Sequence, residues 1–107
     1  MARRIRWTLT AANDLEEIAE YISESAPLAA RRFVRHLRDS AHSLKALPER
    51  GRRVPELQPS DLRELLIGDY RLIYQVEAHA VLILTIAHGA RDLEALWRRR
   101  LHSGKIP

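Results

Sequence analysis

Four residues in the C-terminal half of this 107-residue chain, Arg63, Arg71, His88 and Arg91, are of the types that cleave a phosphodiester. When a ribose 2′-hydroxyl attacks the adjacent phosphate, a base must take its proton and an acid must protonate the departing oxygen. Cations must hold the charge that develops between them. Histidine titrates near neutral pH, so His88 is the natural acid or base. The three arginines supply the cations, and Tyr70 and Tyr74 are hydroxyls close by in sequence. His88 closes an apolar run, Arg91 follows three residues later, and Arg71 and Arg63 open the two preceding segments. If those segments are strands, the four are expected to converge at one side of a sheet. Each also has a plainer role: a histidine at a strand end is commonly a hydrogen-bonding surface residue. Arg71 and Arg63 would pair equally well with Glu64, Asp69 or a carboxylate of the first helix. Tyr74 reads as a core residue with Leu72 and Val76.

Other chemistries lack their residues. With no cysteine there are no disulfides and no thiolate metal sites, and a reducing cytoplasm is the expected compartment. His36 and His42 lack the four-residue spacing of a helical metal pair, so no metal is expected. Only four glycines are present and none builds a phosphate loop, so no cofactor is expected either. No serine has a triad context. The longest apolar run, Ala80 to Leu84, is far short of the ~18 residues that cross a bilayer. The formal charge is +4, carried by 16 arginines and only two lysines, Lys45 and Lys105. Guanidinium is a planar fork suited to phosphate and carboxylate, so nucleic acid, ribosome or an acidic protein is the expected kind of partner.

The elements that must position these residues follow from periodicity. Arg4 to Leu9 alternates with Ile5, Trp7 and Leu9 on one face, a half-buried edge strand. Thr10 offers an N-cap to a helix striped by Ala12, Leu15, Ile18, Ala19 and Ile22. Ser25-Ala26-Pro27 breaks it and starts a second helix burying Ala30, Phe33, Val34, Leu37, Ala41 and Leu44. So short a break implies an antiparallel helical hairpin. The acids of the first helix (Asp14, Glu16, Glu17, Glu20, Glu24) and the cations from Arg31 to Lys45 are expected to attract across it.

Glu49 to Pro59 reads as a loop carrying Arg50, Arg52 and Arg53. Three strands follow, about Leu62 to Ile67, Tyr70 to Glu77 and Val81 to Ala87, with a tight turn at Gly68-Asp69. The third is apolar on both faces and should be central. Leu93, Leu96, Trp97 and Leu101 suggest a last helix whose end, Arg98 to Arg100, puts cations at the negative pole of its dipole. The result is one α+β domain over residues 1–107, ordered β-α-α-β-β-β-(α). The hairpin packs on one face of a small, curved, mainly antiparallel sheet, as a two-layer sandwich. The opposite face is expected to be less covered and open to a partner.

In that order the chain resembles the RelE/ParE superfamily of type II toxin–antitoxin toxins over nearly its whole length. The resemblance rests on Asp14-Leu15-Glu16-Glu17-Ile18 with Tyr21-Ile22, on Pro27 to Phe33, and on Leu47-Pro48-Glu49-Arg50-Gly51-Arg52. It continues through Leu62-Arg63-Glu64-Leu65, Tyr70-Arg71-Leu72-Ile73-Tyr74 and His88-Gly89-Ala90-Arg91-Asp92. It implies a growth-inhibiting toxin held inactive, as a hetero-oligomer, by a cognate antitoxin. The antitoxin's acidic tail would suit an apolar groove beside the helical hairpin. RelE-like members cut mRNA on the ribosome with basic residues borne on the sheet, and Arg71 and Arg91 match two arginines of that pattern. Arg63 and Glu64 stand where a lysine pair is usual, and Trp97 stands near the place of a C-terminal catalytic tyrosine. ParE-like members act on DNA gyrase and have no accepted enzymatic residues. The first two helices, GRRVPEL and HGARD resemble that branch better. Under it, Arg50, Arg52 and Arg53 of the loop, with Arg91, Trp97, Arg98, Arg99 and Arg100, are the expected target contacts. Under the RelE-like alternative, Arg63, Arg71, His88 and Arg91 are catalytic. A non-toxic member that only binds its antitoxin is the third reading.

Overall fold

Ile5 and Trp7, alternating with Arg4 and Arg6, form strand β1 (Arg4–Trp7), which turns its apolar side to the core. In the computed structural model, which describes residues 2–107, β1 lies parallel to β5 (Ala80–His88), with Trp7 opposite Ile83. Strand β5 is interior, as its two-faced apolar run requires. The sheet order is β1-β5-β4-β3-β2, with β2 at Arg52–Arg53, β3 at Arg63–Ile67 and β4 at Tyr70–Val76. All pairings except β1–β5 are antiparallel. Gly68 alone carries the β3–β4 turn into positive φ (57°), as the first central residue of a type II′ hairpin requires.

Helix α1 (Leu9–Ser23) is capped by Thr8, not by Thr10 as expected. The Thr8 hydroxyl accepts from the Ala11 amide (3.0 Å) and donates to the Ile83 carbonyl (2.9 Å), so it closes the strand and opens the helix at once. Leu9, read as the last strand residue, is the first helical one and is exposed. Helix α2 (Pro27–Ser43) begins on Pro27 as expected. The hairpin covers one face of the sheet, burying Leu15, Leu37, Ala41 and Leu44 against Leu65, Leu72, Tyr74, Val81 and Ile83. Each fully buried leucine there contributes about 1.5–3 kcal/mol.

Three expectations are overturned. The second sheet face is not open: α3 (Leu93–His102), the 3-10 turn Pro55–Leu57 and Ile106 close it over Ile73, Leu84 and Ala87 as a second core. The segment read as a loop contributes β2, whose Arg52 and Arg53 pair with Glu64 and Arg63 of β3. The acids of α1 and the cations of α2 do not attract across the hairpin. Among the described residues no ion pair joins the two helices, because Asp14 turns into the sheet and the other acids face solvent. Among the described residues the arginines of α2 have no carboxylate within 4.0 Å.

Candidate functional site

Arg71 lies on the α3 side of the sheet, only 6% exposed, where strand pleating points it away from the helical hairpin. All three of its guanidinium nitrogens donate to carboxylates: Nε to Glu64 (2.5 Å), Nη1 and Nη2 to the two oxygens of Glu56 (2.6 and 2.7 Å). Glu64, 1% exposed, also accepts from Arg52 Nε at 2.7 Å across the β2–β3 pair. A buried carboxylate is tolerable only when its lone pairs are filled in this way. The Arg71 hydrogen bonds hold the Glu56 carboxyl at a pKa of about 2, against the opposing effect of burial, and the Arg71 pKa is raised in turn. Three of the guanidinium's five N–H groups are thus already engaged by two anions of its own chain.

Of the other three members of the expected catalytic quartet, Arg63 stands apart, whereas His88 and Arg91 line one small hollow with Tyr70. Arg63 stands across from Tyr74 and His88 across from Tyr70, four residues and roughly 13 Å apart along β4. Arg63 Nη1 donates to the Gly51 carbonyl (2.7 Å), which fastens β3 to the preceding loop. His88 accepts at Nδ1 from the Ala90 amide (3.0 Å), so the neutral ring keeps its proton on Nε2. In that tautomer Nε2 is a proton donor. The Tyr70 ring meets His88 edge-on at 5.2 Å, and burial pushes the Tyr70 phenol pKa upward. Tyr74 is a core residue as expected. Its hydroxyl donates to Pro48 and accepts from Gly51, and burial raises its pKa too. Arg71 and His88 do border one shallow hollow of about 360 Å³, together with Arg52. Arg63 and Arg91 do not line it. The expected convergence of all four at one rim is therefore not what the fold builds.

The expected target contacts divide in the same way. Trp97 is 8% exposed and packs in the second core beside Leu93, Leu96 and Ile106. Arg100 forms a bidentate pair with Asp14, both bonds 2.7 Å, and reaches Thr85 at 3.3 Å. Both residues hold α3 to the rest of the fold and are taken up there. Arg52 pairs with Glu64, and Arg50 donates to the Ser43 hydroxyl. Arg53, Arg91, Arg98 and Arg99 are exposed and have no carboxylate within 4.0 Å among the described residues.

Of three anchoring acids, sequence reasoning named Glu64 as a plain partner of Arg71 and missed Asp14 and Glu56. Asp14, in a run of acids that reads as a solvated face, is buried and also accepts from the Ile86 amide at 3.0 Å. Strand β1 stops opposite Ile83, so this amide has no strand partner and a helix side chain fills the gap. Glu56 and Glu64 each lie in the segments singled out for arginines.

On the outer side of the hairpin, α1 and α2 leave a groove of about 680 Å³ with Ala19, Ala30 and Val34 in its lining. Arg31, Arg35 and Arg38 stand along one wall at helical spacing.

Known proteins share this fold. The family model described as the ParE toxin of the type II toxin–antitoxin system parDE matches residues 5–93. The chain belongs to the ParE toxin family. Within the wider RelE/ParE superfamily, this ParE-family chain is 40% identical over 89 residues to Toxin RelE2 of Caulobacter vibrioides, spanning 82% of this chain and 97% of that protein. Its fold superposes on a chain of the chromosomal ParDE system from P. aeruginosa with a TM-score of 0.70 and 21% identity, covering 81% of this chain and 96% of that one. A chain of the Mycobacterium tuberculosis RelBE2 toxin–antitoxin complex gives 0.61 at 24% identity, covering 82% and 99%. The ParE-family chain is thus a type II toxin–antitoxin toxin whose fold is common to both branches of the superfamily.

Proposed function

We propose that this toxin arrests bacterial growth in the cytoplasm by binding DNA gyrase, and that a cognate acidic antitoxin neutralises it by direct contact. The observation that carries the first part is the pairing of Arg71 with Glu56 and Glu64. A cation that must gather a phosphate cannot already be forked onto two carboxylates of its own chain. The separation of Arg63 from His88 along β4 points the same way. What remains is a binding protein whose uncommitted cations, Arg91, Arg98 and Arg99 beside α3 and Arg53 on β2, form its target-facing surface. The antitoxin reading draws on the hairpin groove, where an apolar floor beside the uncommitted Arg31, Arg35 and Arg38 suits an amphipathic acidic segment.

The shared hollow of Arg52, Arg71 and His88 favours a second reading, ribosome-dependent mRNA cleavage. That reading requires the Glu56 clamp to open. Purified toxin added to gyrase and relaxed plasmid should block supercoiling or trap cleaved DNA. Added to programmed ribosomes it should leave the message intact. Growth arrest should survive His88→Ala. Codon-by-codon cleavage, abolished by that substitution, would establish the nuclease instead, and normal growth on induction without antitoxin would mark a non-toxic member.

A further inference from the structure

The chain ends in a turn that builds a second charged site. Arg99 and Arg100 close α3, and Gly104 then takes a φ of 73°. The Lys105 amide bonds the Arg100 carbonyl (2.9 Å) and the Gly104 amide bonds that of Leu101 (3.2 Å), the reciprocal pair of a Schellman motif. This turn reverses the chain so that Ile106 is buried in the second core, and the Lys105 carbonyl receives a hydrogen bond from the Thr10 hydroxyl. Lys105 is thereby placed beside the first turn of α1. Between the two helices lies a cleft of about 680 Å³, to which Arg91, Arg99, Arg100 and Lys105 contribute, along with Asp14 and Glu17.

Arg100 is neutralised by Asp14, whereas Arg91, Arg99 and Lys105 have no carboxylate within 4.0 Å among the described residues. Three uncommitted cations thus face one uncommitted acid, Glu17. The cleft also differs in kind from the hairpin groove. Its lining is mainly polar, so it offers no floor to an amphipathic helix, while guanidinium groups and an ammonium suit closely spaced phosphates.

We infer that this α1–α3 cleft, through Arg91, Arg99 and Lys105, binds the phosphate backbone of a nucleic acid. The inference rests on the cleft alone and holds whether or not gyrase is the target. Neither Arg71, paired with Glu56 and Glu64, nor the hairpin arginines take part. The probe is a fluorescein-labelled single-stranded oligonucleotide of about 12 nucleotides, titrated with purified toxin between about 50 and 200 mM salt. The Arg91→Ala/Arg99→Ala/Lys105→Ala triple variant should lower affinity at least tenfold at low salt. It should also reduce the slope of log affinity against log salt by about 2. The charge-matched Arg31→Ala/Arg35→Ala/Arg38→Ala variant should keep both the affinity and the slope within twofold. Thermal melts run in parallel identify unfolded protein, and the single Arg99→Ala variant, on an exposed position, then serves with an expected loss of about threefold. Equal losses in the two triples would reduce the effect to net charge and overturn the inference. Failure of the native toxin to bind, or a polyglutamate peptide competing as well as the oligonucleotide, would overturn it too. A gyrase assay that fails while oligonucleotide binding behaves as described would sink only the target proposal.

Discussion

If Arg71 is committed to Glu56 and Glu64, removing it should damage the fold before it damages anything else. Arg71→Ala leaves Glu64 fully buried with only Arg52, an exposed partner, on one of its oxygens. Breaking a buried pair in this way costs about 3–5 kcal/mol, because the surviving charge has lost its compensation. Glu56 is about a third exposed and is solvated when released, so it adds little to that figure. Against a total stability of about 5–15 kcal/mol the loss is severe, a fall in Tm of roughly 12–30 °C. Circular dichroism melts and urea titrations measure it. The decisive variant replaces all three charges, Arg71→Leu/Glu56→Leu/Glu64→Leu. Exchange of a buried ion network for apolar residues is often neutral or stabilising, so this protein should recover most of the lost Tm. If toxicity comes from binding gyrase, it should also still arrest growth. A triple variant that folds like the native chain but is harmless would refute the reasoning, since Arg71 would then be needed by a target. So would Arg71→Ala with an unchanged Tm and lost toxicity.

Other outcomes follow from the same geometry. Glu56 has its pKa depressed from 4.5 to about 2, so its contribution to stability is complete above about pH 5 and fades as pH falls through that interval. The difference in urea midpoint between native protein and Glu56→Gln should therefore be constant at neutral pH and vanish toward pH 2. Asp14→Asn should cost about 1.5–3 kcal/mol by weakening the charged bonds to Arg100, and hydrogen exchange should speed up across α3 and at the Ile86 amide. Gly51→Ala would set a Cβ 2.5 Å from the Tyr74 hydroxyl oxygen and 2.6 Å from the Glu64 carbonyl, a clash worth about 1–3 kcal/mol in a chemical melt. Trp97→Ala should destabilise by about 3–5 kcal/mol while Arg98→Ala changes stability by less than about 0.5, which separates the packed from the solvent face of α3.

Periodicity made most of the frame readable. The two-faced apolar run of Val81 to Ile86 marked the interior strand, Pro27 marked the start of the second helix, and Gly68-Asp69 marked the hairpin. These signals are local: a strand, a cap or a turn is specified by neighbours a few residues away. The roles of the charged side chains are set at long range. Asp14 and Arg100 are 86 residues apart, and nothing near Asp14 distinguishes it from the exposed acids beside it. The same holds for Trp97, whose burial depends on Ile106 returning through the Gly104 turn. Expecting an open second face followed from treating the last helix as an appendage, when it is the lid of the second core. Pleating and strand length keep the expected quartet from converging as a whole, although His88 and Arg91 share a hollow. Arg71 faces the opposite side of the sheet from His88, and Arg63 sits near the other end of the hairpin.

The segment GRRVPEL shows how a local change would redirect the use of a shared scaffold. Gly51 lets the chain press against Tyr74, Arg52 pairs with Glu64, Val54 is buried in the second core, and Glu56 clamps Arg71. A stretch that reads as an arginine-bearing loop is thus stitched to β3 and β4 by four separate contacts, and its cations, Arg53 excepted, are occupied. An arginine at the Arg71 position can serve phosphate chemistry only if nothing in this segment supplies an anion to it. Here Glu56 and Glu64 supply two, and no single substitution restores a vacant guanidinium: removing Glu56 leaves Glu64 in place, and removing Glu64 exposes the cost of burying Arg71 and strands Arg52. The Glu56→Ala/Glu64→Ala double variant is the direct probe of that argument. It should show no ribonuclease activity on programmed ribosomes. Should it cut mRNA, the carboxylates would be a lock on a nuclease and not part of a binding protein's framework.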